Sequence, residues 1–293
     1  MAPSPDFSFI DKTITGPIPP FICDLKNLTA IDLQNNYILG PFPTALYNCT
    51  KLEHLDLSQN LFVGCIPGDV DWLSTHLRTF NLSDNNFTCD ILAAIGQFPE
   101  LTTLRIFLNE FNNFFPPKIG KLSRLEMLAP SDNAFALMAI LSTFTLLRKL
   151  KQLLIKDSSL ISEIPETIGN LAELEELDLS NNNLTGATPN DLFMLKNLRI
   201  VDLSKNHLSG PIPQPIEAVK MEVIDLSKNN LTRTIPDDFG TLTELSHLSL
   251  FSNQLSGEIP ESISRLPSLT YVRLPSNNVS GTLPPDLGQY SIL

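Results

Sequence analysis

Several features that would narrow the function are scarce in this sequence. Cysteine occurs four times in 293 residues, at Cys23, Cys49, Cys65 and Cys89, without the spacing of metal ligands. Twenty basic against 32 acidic residues give a net charge of -12, which excludes the basic footprint of nucleic-acid binding. The uncharged run at residues 134–147 is too short to span a bilayer. We therefore predict neither nucleic acid as a partner nor membrane contact by this chain.

Catalytic signatures are missing as well. The sequence contains no G-x-S-x-G, H-E-x-x-H, P-loop or kinase motif. The four histidines lie in different parts of the chain, at His54, His76, His207 and His247. The sequence thus predicts a protein that is not an enzyme, with no catalytic residue, no cofactor and no metal site.

What the sequence does contain is an asparagine that returns about every 24 residues. It stands at Asn36, Asn60, Asn85, Asn109, Asn133, Asn182, Asn206, Asn229, Asn253 and Asn277, with Ser158 in the same place between Asn133 and Asn182. Around it the chain reads L-x-x-L-x-L-x-x-N-x-L-x-G-x-I-P, as at Leu198 to Pro213. This is the leucine-rich repeat, and a period in the twenties is typical of a solenoid.

The repeat has a direct physical interpretation. The apolar residues eight, five and three places before each asparagine, such as Leu198, Val201 and Leu203, form the core and frame a short strand. The residues six, four and two places before it face outward, and each asparagine turns inward, where its amide pairs with backbone groups. The predicted fold is an α/β solenoid, a right-handed superhelix of about 11 plant-type repeats with a parallel sheet on its concave face.

The period also predicts the domain organisation. Residues 28–286 form one array, residues 1–27 a degenerate N-terminal segment with a partial repeat, and residues 287–293 the start of a truncated further repeat. The first ten residues lack the pattern of a secretory signal. The array is irregular at residues 125–165, where Pro130 takes a core position and Leu137 replaces the usual glycine. The uncharged run is expected to form a core helix on the convex side.

Cysteines and glycosylation sequons give expectations about export. Buried free thiols are the favoured state of the cysteines, with a bridge between Cys65 and Cys89 as the alternative. Candidate glycosylation sites are Asn27, Asn48, Asn81, Asn86, Asn183, Asn230 and Asn278, which suit an exported glycoprotein, although the wording of the repeat also generates such sequons. Asn81 is expected on the outward face of its strand, where a glycan would obstruct the concave surface.

Candidate ligand-binding residues come from the outward positions of the strands. Asp178, Asp202 and Asp225 are predicted to lie in register, so their charges repel unless Lys205, Lys228 or a cationic ligand offsets them. The alternative is that L-D-L-S is common repeat wording.

The second set of candidates is aromatic and basic: Arg105, Phe107, His247, Phe251, Tyr271 and Arg273. The last four form the best single cluster, because exposed aromatic anchors dominate the energetics of interfaces. There Arg273 could pair with a carboxylate, and ordinary solvent exposure is the alternative.

Two segments resemble a known family. One is the plant-type unit L-D-L-S-x-N-x-L-T-G-x-I-P at Leu177 to Pro189, and the other is N-Q-L-S-G-E-I-P-E-S-I at Asn253 to Ile263. The chain resembles the extracellular arrays of plant leucine-rich-repeat receptor kinases, in particular the HAESA-like group. The resemblance implies a ligand-recognition module that binds a secreted peptide or protein on its concave face. It also implies a SERK-type co-receptor, and the extracellular face of the plasma membrane as the location of a full-length relative.

The group's paired arginines, an R-x-R on one strand that reads a peptide's carboxylate, match here only at Arg273, in Tyr271-Val272-Arg273. An alternative function is the inhibition of cell-wall-degrading enzymes, because polygalacturonase-inhibiting proteins share this repeat. A further alternative is an ice-binding array.

Overall fold

The computed structural model describes residues 6–25, 27–113, 115–135 and 141–290. The interpretation of Leu137, and the last three residues of the predicted truncated repeat, lie outside this part of the chain. The chain divides into two compact units, Met1–Leu150 and Lys151–Leu293, and each unit is described by itself.

In the first unit, each repeat contributes one three-residue strand to a parallel sheet. The strands are Asp6–Ser8, Ala30–Asp32, His54–Asp56, Thr79–Asn81, Thr103–Arg105 and Met127–Ala129. They pair in chain order. The first strand was not predicted, because Lys12 stands where the periodic asparagine would be.

The second unit repeats this arrangement. Its strands are Gln152–Leu154, Glu176–Asp178, Ile200–Asp202, Val223–Asp225, His247–Ser249 and Tyr271–Arg273. They also pair in parallel and in chain order, so that equivalent positions of successive repeats lie side by side. The leucine-rich-repeat solenoid predicted from the sequence is therefore the fold of the chain.

A second series of short strands follows the periodic asparagines. In the first unit they are Thr15–Gly16, Tyr37–Gly40, Leu61–Cys65, Asn86–Thr88, Asn112–Asn113 and Ala134–Phe135. In the second unit they are Ile161–Glu163, Asn183–Thr185, Ser209–Pro211, Asn230–Arg233, Gln254–Gly257 and Asn278–Val279. These strands also pair in parallel, which gives each unit one four-stranded and one two-stranded side sheet.

The remaining side of the repeats carries 3-10 helices. They are Ile22–Asp24, Thr44–Asn48, Val70–Trp72, Ala93–Gln97, Pro117–Lys121, Glu166–Asn170, Asn190–Met194, Asp237–Thr241 and Glu261–Arg265. Most begin directly after a proline, whose fixed φ suits a helix start. One α-helix, Leu141–Phe144, is present in the described residues.

The core lies between these layers. Leu198, Val201 and Leu203 are completely buried, as their positions before the asparagine predict. In the first unit, Phe62, Phe87 and Phe111 stack one on the next with centroid distances of 5.9 and 6.2 Å. Successive repeats therefore share one apolar core, which explains why a single repeat has no stability of its own.

The periodic asparagines bind the backbone, as Asn206 shows. Its Nδ2 donates to the carbonyl oxygens of Leu203 and Ser204 in its own turn and to that of Leu179 in the preceding repeat. Its Oδ1 accepts the N–H of Leu184, also in the preceding repeat. The same pattern, with two or three carbonyl acceptors, occurs at Asn36, Asn60, Asn85, Asn109, Asn133, Asn182, Asn229, Asn253 and Asn277. The hydrogen bonds of these side chains connect each repeat to the preceding one.

The expectation of free thiols was wrong. Cys23 forms a disulfide with Cys49, and Cys65 forms one with Cys89, with Cα atoms 4.9 and 5.4 Å apart. Neighbouring repeats bring each pair within the range that a disulfide spans. Two disulfides are typical of proteins that fold in an oxidising compartment.

The predicted helix does not begin at the start of the uncharged run, and residues 136–140 of that run lie outside the described part of the chain. Ala134 and Phe135 form a strand, and helix is found at Leu141–Phe144. Phe144 and Leu147 are completely buried, which agrees with a core role for the end of the run. The side chain of Phe144 packs edge-on against Phe115 at a centroid distance of 5.4 Å.

Candidate ligand-binding face

The three-residue strands present a regular outward surface, which we call the strand face. In Ile200–Asp202 the middle residue is buried, whereas both ends are partly exposed. The same alternation is found at Glu176–Asp178 and Val223–Asp225. The outward positions predicted from the sequence are therefore those that a ligand could contact.

A row of carboxylates crosses the strand face of the second unit. Asp178 lies opposite Asp202, and Asp202 lies opposite Asp225. The Oδ1 of each accepts the backbone N–H of the serine two residues later, at 2.9, 2.9 and 2.8 Å. The aspartate of each L-D-L-S segment therefore stabilises the turn after its strand. The three negative charges that result could also bind a cationic group of a ligand.

The central carboxylate of this row is electrostatically disfavoured. Burial raises the pKa of Asp202 above its ordinary value, and the charges of Asp178 and Asp225 raise it further. Hydrogen bonds from Ser204 act in the opposite direction. The ionised form of Asp202 thus costs free energy in the folded protein, and a cation bound to the row would relieve that cost.

The raised pKa of Asp202 gives a prediction about stability and pH. Because the folded pKa lies above the unfolded one, ionisation destabilises the fold at neutral pH and has no effect below both pKa values. Asp202→Asn keeps an oxygen for the N–H of Ser204 and should raise the free energy of unfolding at pH 7 by up to about 1 kcal/mol. Urea unfolding at pH 7 and pH 3 would measure this. An equal gain at both values, or a loss at pH 7, would contradict it.

The aromatic and basic side chains at the end of the second unit meet in one cluster. The guanidinium carbon of Arg273 lies 4.0 Å from the ring centroid of Phe251, and Lys228 Nζ lies 5.7 Å from it. The rings of His247 and Tyr271 lie 5.6 Å apart on paired strands. We call these five residues the aromatic–basic patch. In the described part of the chain, the ion pairs between side chains include neither Arg273 nor Lys228.

Lys228 was considered in the sequence only as a neighbour of the acidic row. Its place in the aromatic–basic patch depends on the turn before Asn229, where Lys228 adopts a φ of 54°. No sequence motif indicates that Lys228 contacts Phe251. The spacing from Lys228 to Phe251, close to one repeat, is the feature that could have indicated it.

In the first unit, Arg105 and Phe107 line a shallow pocket of about 170 Å³ on the strand face. Asp56 and Asp84 lie in the same pocket. Arg105 directs its Nε to the Met127 sulfur at 3.0 Å. The structure thus groups two of the candidate residues in the first unit and the other seven in the second.

Asn81 does not lie exposed on the strand face, contrary to expectation. Its side chain is buried, and its Nδ2 donates to Asp56 Oδ2 at 2.7 Å and to Ser58 Oγ at 3.2 Å. Because a glycan attaches to this nitrogen, the folded protein has no room for one at Asn81. The asparagines of the other six sequons are exposed: Asn27, Asn48, Asn86, Asn183, Asn230 and Asn278.

The described residues contain no group of three or more histidine, cysteine, aspartate or glutamate side chains placed to hold a metal ion. No helix among them has the length and apolar character needed to cross a membrane. His54 on the strand face contacts Thr79 Oγ1 at 3.1 Å, which makes it part of a local hydrogen-bond pair.

Comparison with known proteins agrees with this architecture. The family model of the leucine-rich repeat matches residues 26–87, 142–208 and 219–279, more than half of the chain. The chain therefore belongs to the leucine-rich-repeat family.

Several of the similar proteins are plant receptors. The chain is 35% identical to Receptor-like protein 35 of Arabidopsis thaliana over 126 residues, which is 43% of this chain and 13% of that protein. It matches the Arabidopsis receptor kinase HAESA, solved with the peptide hormone IDA and the co-receptor SERK1, with 33% identity and a TM-score of 0.96. A TDR receptor matches with 32% identity and a TM-score of 0.93. These two matches cover 98 and 97% of this chain, and 48 and 49% of the solved chains.

Proposed function

We propose that this chain is the ligand-recognition part of an extracellular plant receptor and that it binds an extended peptide across the strand face. The observation that supports this most directly is the aromatic–basic patch. There two cationic side chains flank the ring of Phe251 without a carboxylate partner in the described residues.

The geometry of the patch suits an acidic or carboxylate-bearing group of a ligand. The stacked guanidinium of Arg273 is already held over Phe251, so less side-chain entropy is lost on binding than with a free arginine. A carboxylate would gain charge-assisted hydrogen bonds there without displacing an internal ion pair. Tyr271 and His247 extend the surface with rings that bury apolar area against a peptide.

The acidic row gives the same surface a second, opposite charge. Asp178, Asp202 and Asp225 lie on three adjacent strands of the second unit. The strands that carry His247 and Tyr271 come next in the same sheet. A basic side chain placed over Asp202 would offset the repulsion that raises its pKa. The face therefore favours a peptide that carries both signs of charge.

The proposal for the partners and the location is supported by similarity to known receptors. The HAESA match is a complex with a peptide hormone and SERK1, and the disulfides of this chain suit export. We therefore propose a secreted peptide as the ligand, a SERK-type protein as co-receptor, and the extracellular face of the plasma membrane as the location. This chain spans about half of the solved receptor chains, so the activity of the whole protein is part of the proposal.

Calorimetric titration with a panel of secreted plant peptides tests the proposal. Arg273→Ala and Phe251→Ala should each weaken binding of the active peptide by about 10- to 100-fold, because aromatic and arginine anchors contribute most at interfaces. Arg265→Ala is the matched control. That arginine is exposed and contacts Glu261 and Asp286 on the helix side, so its loss should leave affinity unchanged.

The proposal fails if no peptide binds or if all three variants bind equally. An assay of polygalacturonase inhibition serves as the second arm of the experiment. Inhibition of that enzyme without peptide binding would favour the inhibitor function instead.

A further inference from the structure

The side sheet of the first unit carries an unusual group of exposed apolar side chains. Tyr37, Leu39, Leu61 and Val63 are 55, 51, 45 and 48% exposed. We call these four residues the apolar side patch. Between them, Ile38 and Phe62 point inward and are buried, so the patch is the outer face of two regular strands.

The strand register makes the patch continuous. Leu39 lies directly opposite Leu61 on the neighbouring strand. Tyr37 is two residues before Leu39, and Val63 is two residues after Leu61, so all four side chains leave the sheet on the same side. Apolar surfaces of this kind on soluble proteins usually have a covering group or a partner.

The fold itself does not require apolar residues at these positions. Most of the equivalent outward residues of the second unit's side strands are polar: Glu163, Asn183, Thr185, Ser209, Asn230, Thr232, Gln254, Ser256 and Asn278, with Ile161 and Pro211 as the apolar exceptions. The same repeat geometry is therefore compatible with a solvated side sheet. Four contiguous apolar side chains at these positions are therefore a feature of this sequence rather than of the fold, and they form a surface that a covering group could bury.

A sequon stands at the edge of the patch. Asn86 lies directly opposite Val63 and is exposed, so its side chain leaves the sheet on the same side as the patch. Asn86, Phe87 and Thr88 form the sequon, and the buried Phe87 fixes the strand. Strands in a sheet are about 4.8 Å apart, which places a group on Asn86 within reach of Val63 and Leu61.

We propose that Asn86 carries an N-linked glycan whose first N-acetylglucosamine residues lie over the apolar side patch. In its formation, the Asn86 Nδ2 loses a proton and bonds to the anomeric carbon of the first sugar, while the bond from that carbon to a lipid diphosphate donor breaks and the lipid diphosphate leaves. The C–H face of the sugar ring and the acetamide methyl group then cover Leu61, Val63 and their neighbours.

Two other occupants are less consistent with the charges and the sequence. A second copy of this chain would bring together two molecules with a net charge of -12, which repel. A partner protein would have to dock beside an exposed sequon, where a glycan obstructs the approach. The inference depends on the proposed function only in requiring export, because the glycan is added in the secretory pathway.

Footprinting with a photolysed diazirine tests the proposal on protein secreted from insect cells. Mass spectrometry first reports which sequons carry glycans. Labelling of Tyr37, Leu39, Leu61 and Val63 should then rise more than about twofold in Asn86→Gln, since the loss of the glycan returns these side chains to solvent. Thr88→Ala removes the same sequon while keeping Asn86 and should give the same rise. Asn183→Gln removes the sequon at the equivalent strand position of the second unit and should leave the labelling of the patch unchanged.

Two results would overturn the proposal. One is an unmodified Asn86 in a protein whose Asn183 and Asn230 are glycosylated, which would leave export and the proposed function intact. The other is a glycosylated Asn86 with equal labelling of the patch in wild type and Asn86→Gln, which would show that the glycan does not cover the apolar side patch. Neither result depends on peptide binding.

Discussion

Asn182→Ala is expected to lower the free energy of unfolding by about 3–5 kcal/mol, the largest effect of any single substitution considered for this chain. The Nδ2 of Asn182 donates to the carbonyl oxygens of Ile155, Leu179 and Ser180 at 2.7, 3.0 and 3.0 Å. Its Oδ1 accepts two further backbone N–H groups of the preceding repeat. Alanine would leave the buried carbonyl of Ile155 and the N–H groups of Ser158 and Leu160 without this partner, and a cavity of one amide is too confined for water to replace every bond.

Urea unfolding of protein made in a bacterial periplasm, where it carries no glycans, provides the measurement. Asn183→Ala is the matched control, because the next residue along the chain is also an asparagine and is exposed. Its replacement should change stability by less than about 0.5 kcal/mol. If the two variants were equally stable, the periodic asparagines would not hold the repeats together.

Removal of the Cys23–Cys49 disulfide by a double alanine substitution should lower the free energy of unfolding by about 3 kcal/mol. The two cysteines are 26 residues apart, and a bridge across a loop of that length restricts the unfolded chain by about this amount. Cys49 is buried, so alanine is a better replacement than the more polar serine.

Chemical unfolding with and without a reducing agent checks this prediction. The variant keeps the Cys65–Cys89 bridge, which mass spectrometry can confirm, so the loss is assigned to one disulfide. The wild type in reducing agent should have a lower free energy of unfolding than the oxidised double variant, because the wild type then loses both disulfides. A variant with the unfolding midpoint of the oxidised wild type would show that Cys23 and Cys49 are not joined in solution.

The repeat period was sufficient to predict the strands, the core positions and the inward amides. Each depends only on spacing within a repeat: Val201 is five places before Asn206 and is buried, and Asp202 is four places before it and faces outward. The first strand, Asp6–Ser8, escaped the same search because Lys12 replaces the asparagine that marks the end of a repeat.

Features that depend on contacts between repeats were harder to predict. Cys23 and Cys49 are separated by 26 residues rather than 24, so they do not occupy equivalent positions, yet adjacent repeats bring their Cα atoms to 4.9 Å. Asn81 has the position of an exposed residue, but Asp56 and Ser58 on the preceding repeat engage its amide and cover it. Side-chain contacts of this kind depend on the identity of two residues, and the period of one repeat does not determine them.

In the candidate site, too, the positions of the residues could be predicted from the repeat, whereas their contacts could not. The sequence placed His247, Phe251, Tyr271 and Arg273 on one surface, and the paired strands bring them together. The stacking of Arg273 on Phe251 and the approach of Lys228 to the same ring depend on rotamers and on the turn after each strand. The sequence therefore predicted the surface, while the structure specifies the chemistry it offers.

The most direct test of the central claim, that a peptide binds the strand face, is calorimetry on a variant that carries a glycan there. His247→Asn creates a sequon with Leu248 and Ser249 in the middle of the aromatic–basic patch. In glycosylated protein with an unchanged melting temperature, peptide binding should be lost, and enzymatic removal of the glycan should restore most of it. Binding of the active peptide with wild-type affinity in the presence of this glycan would contradict the claim.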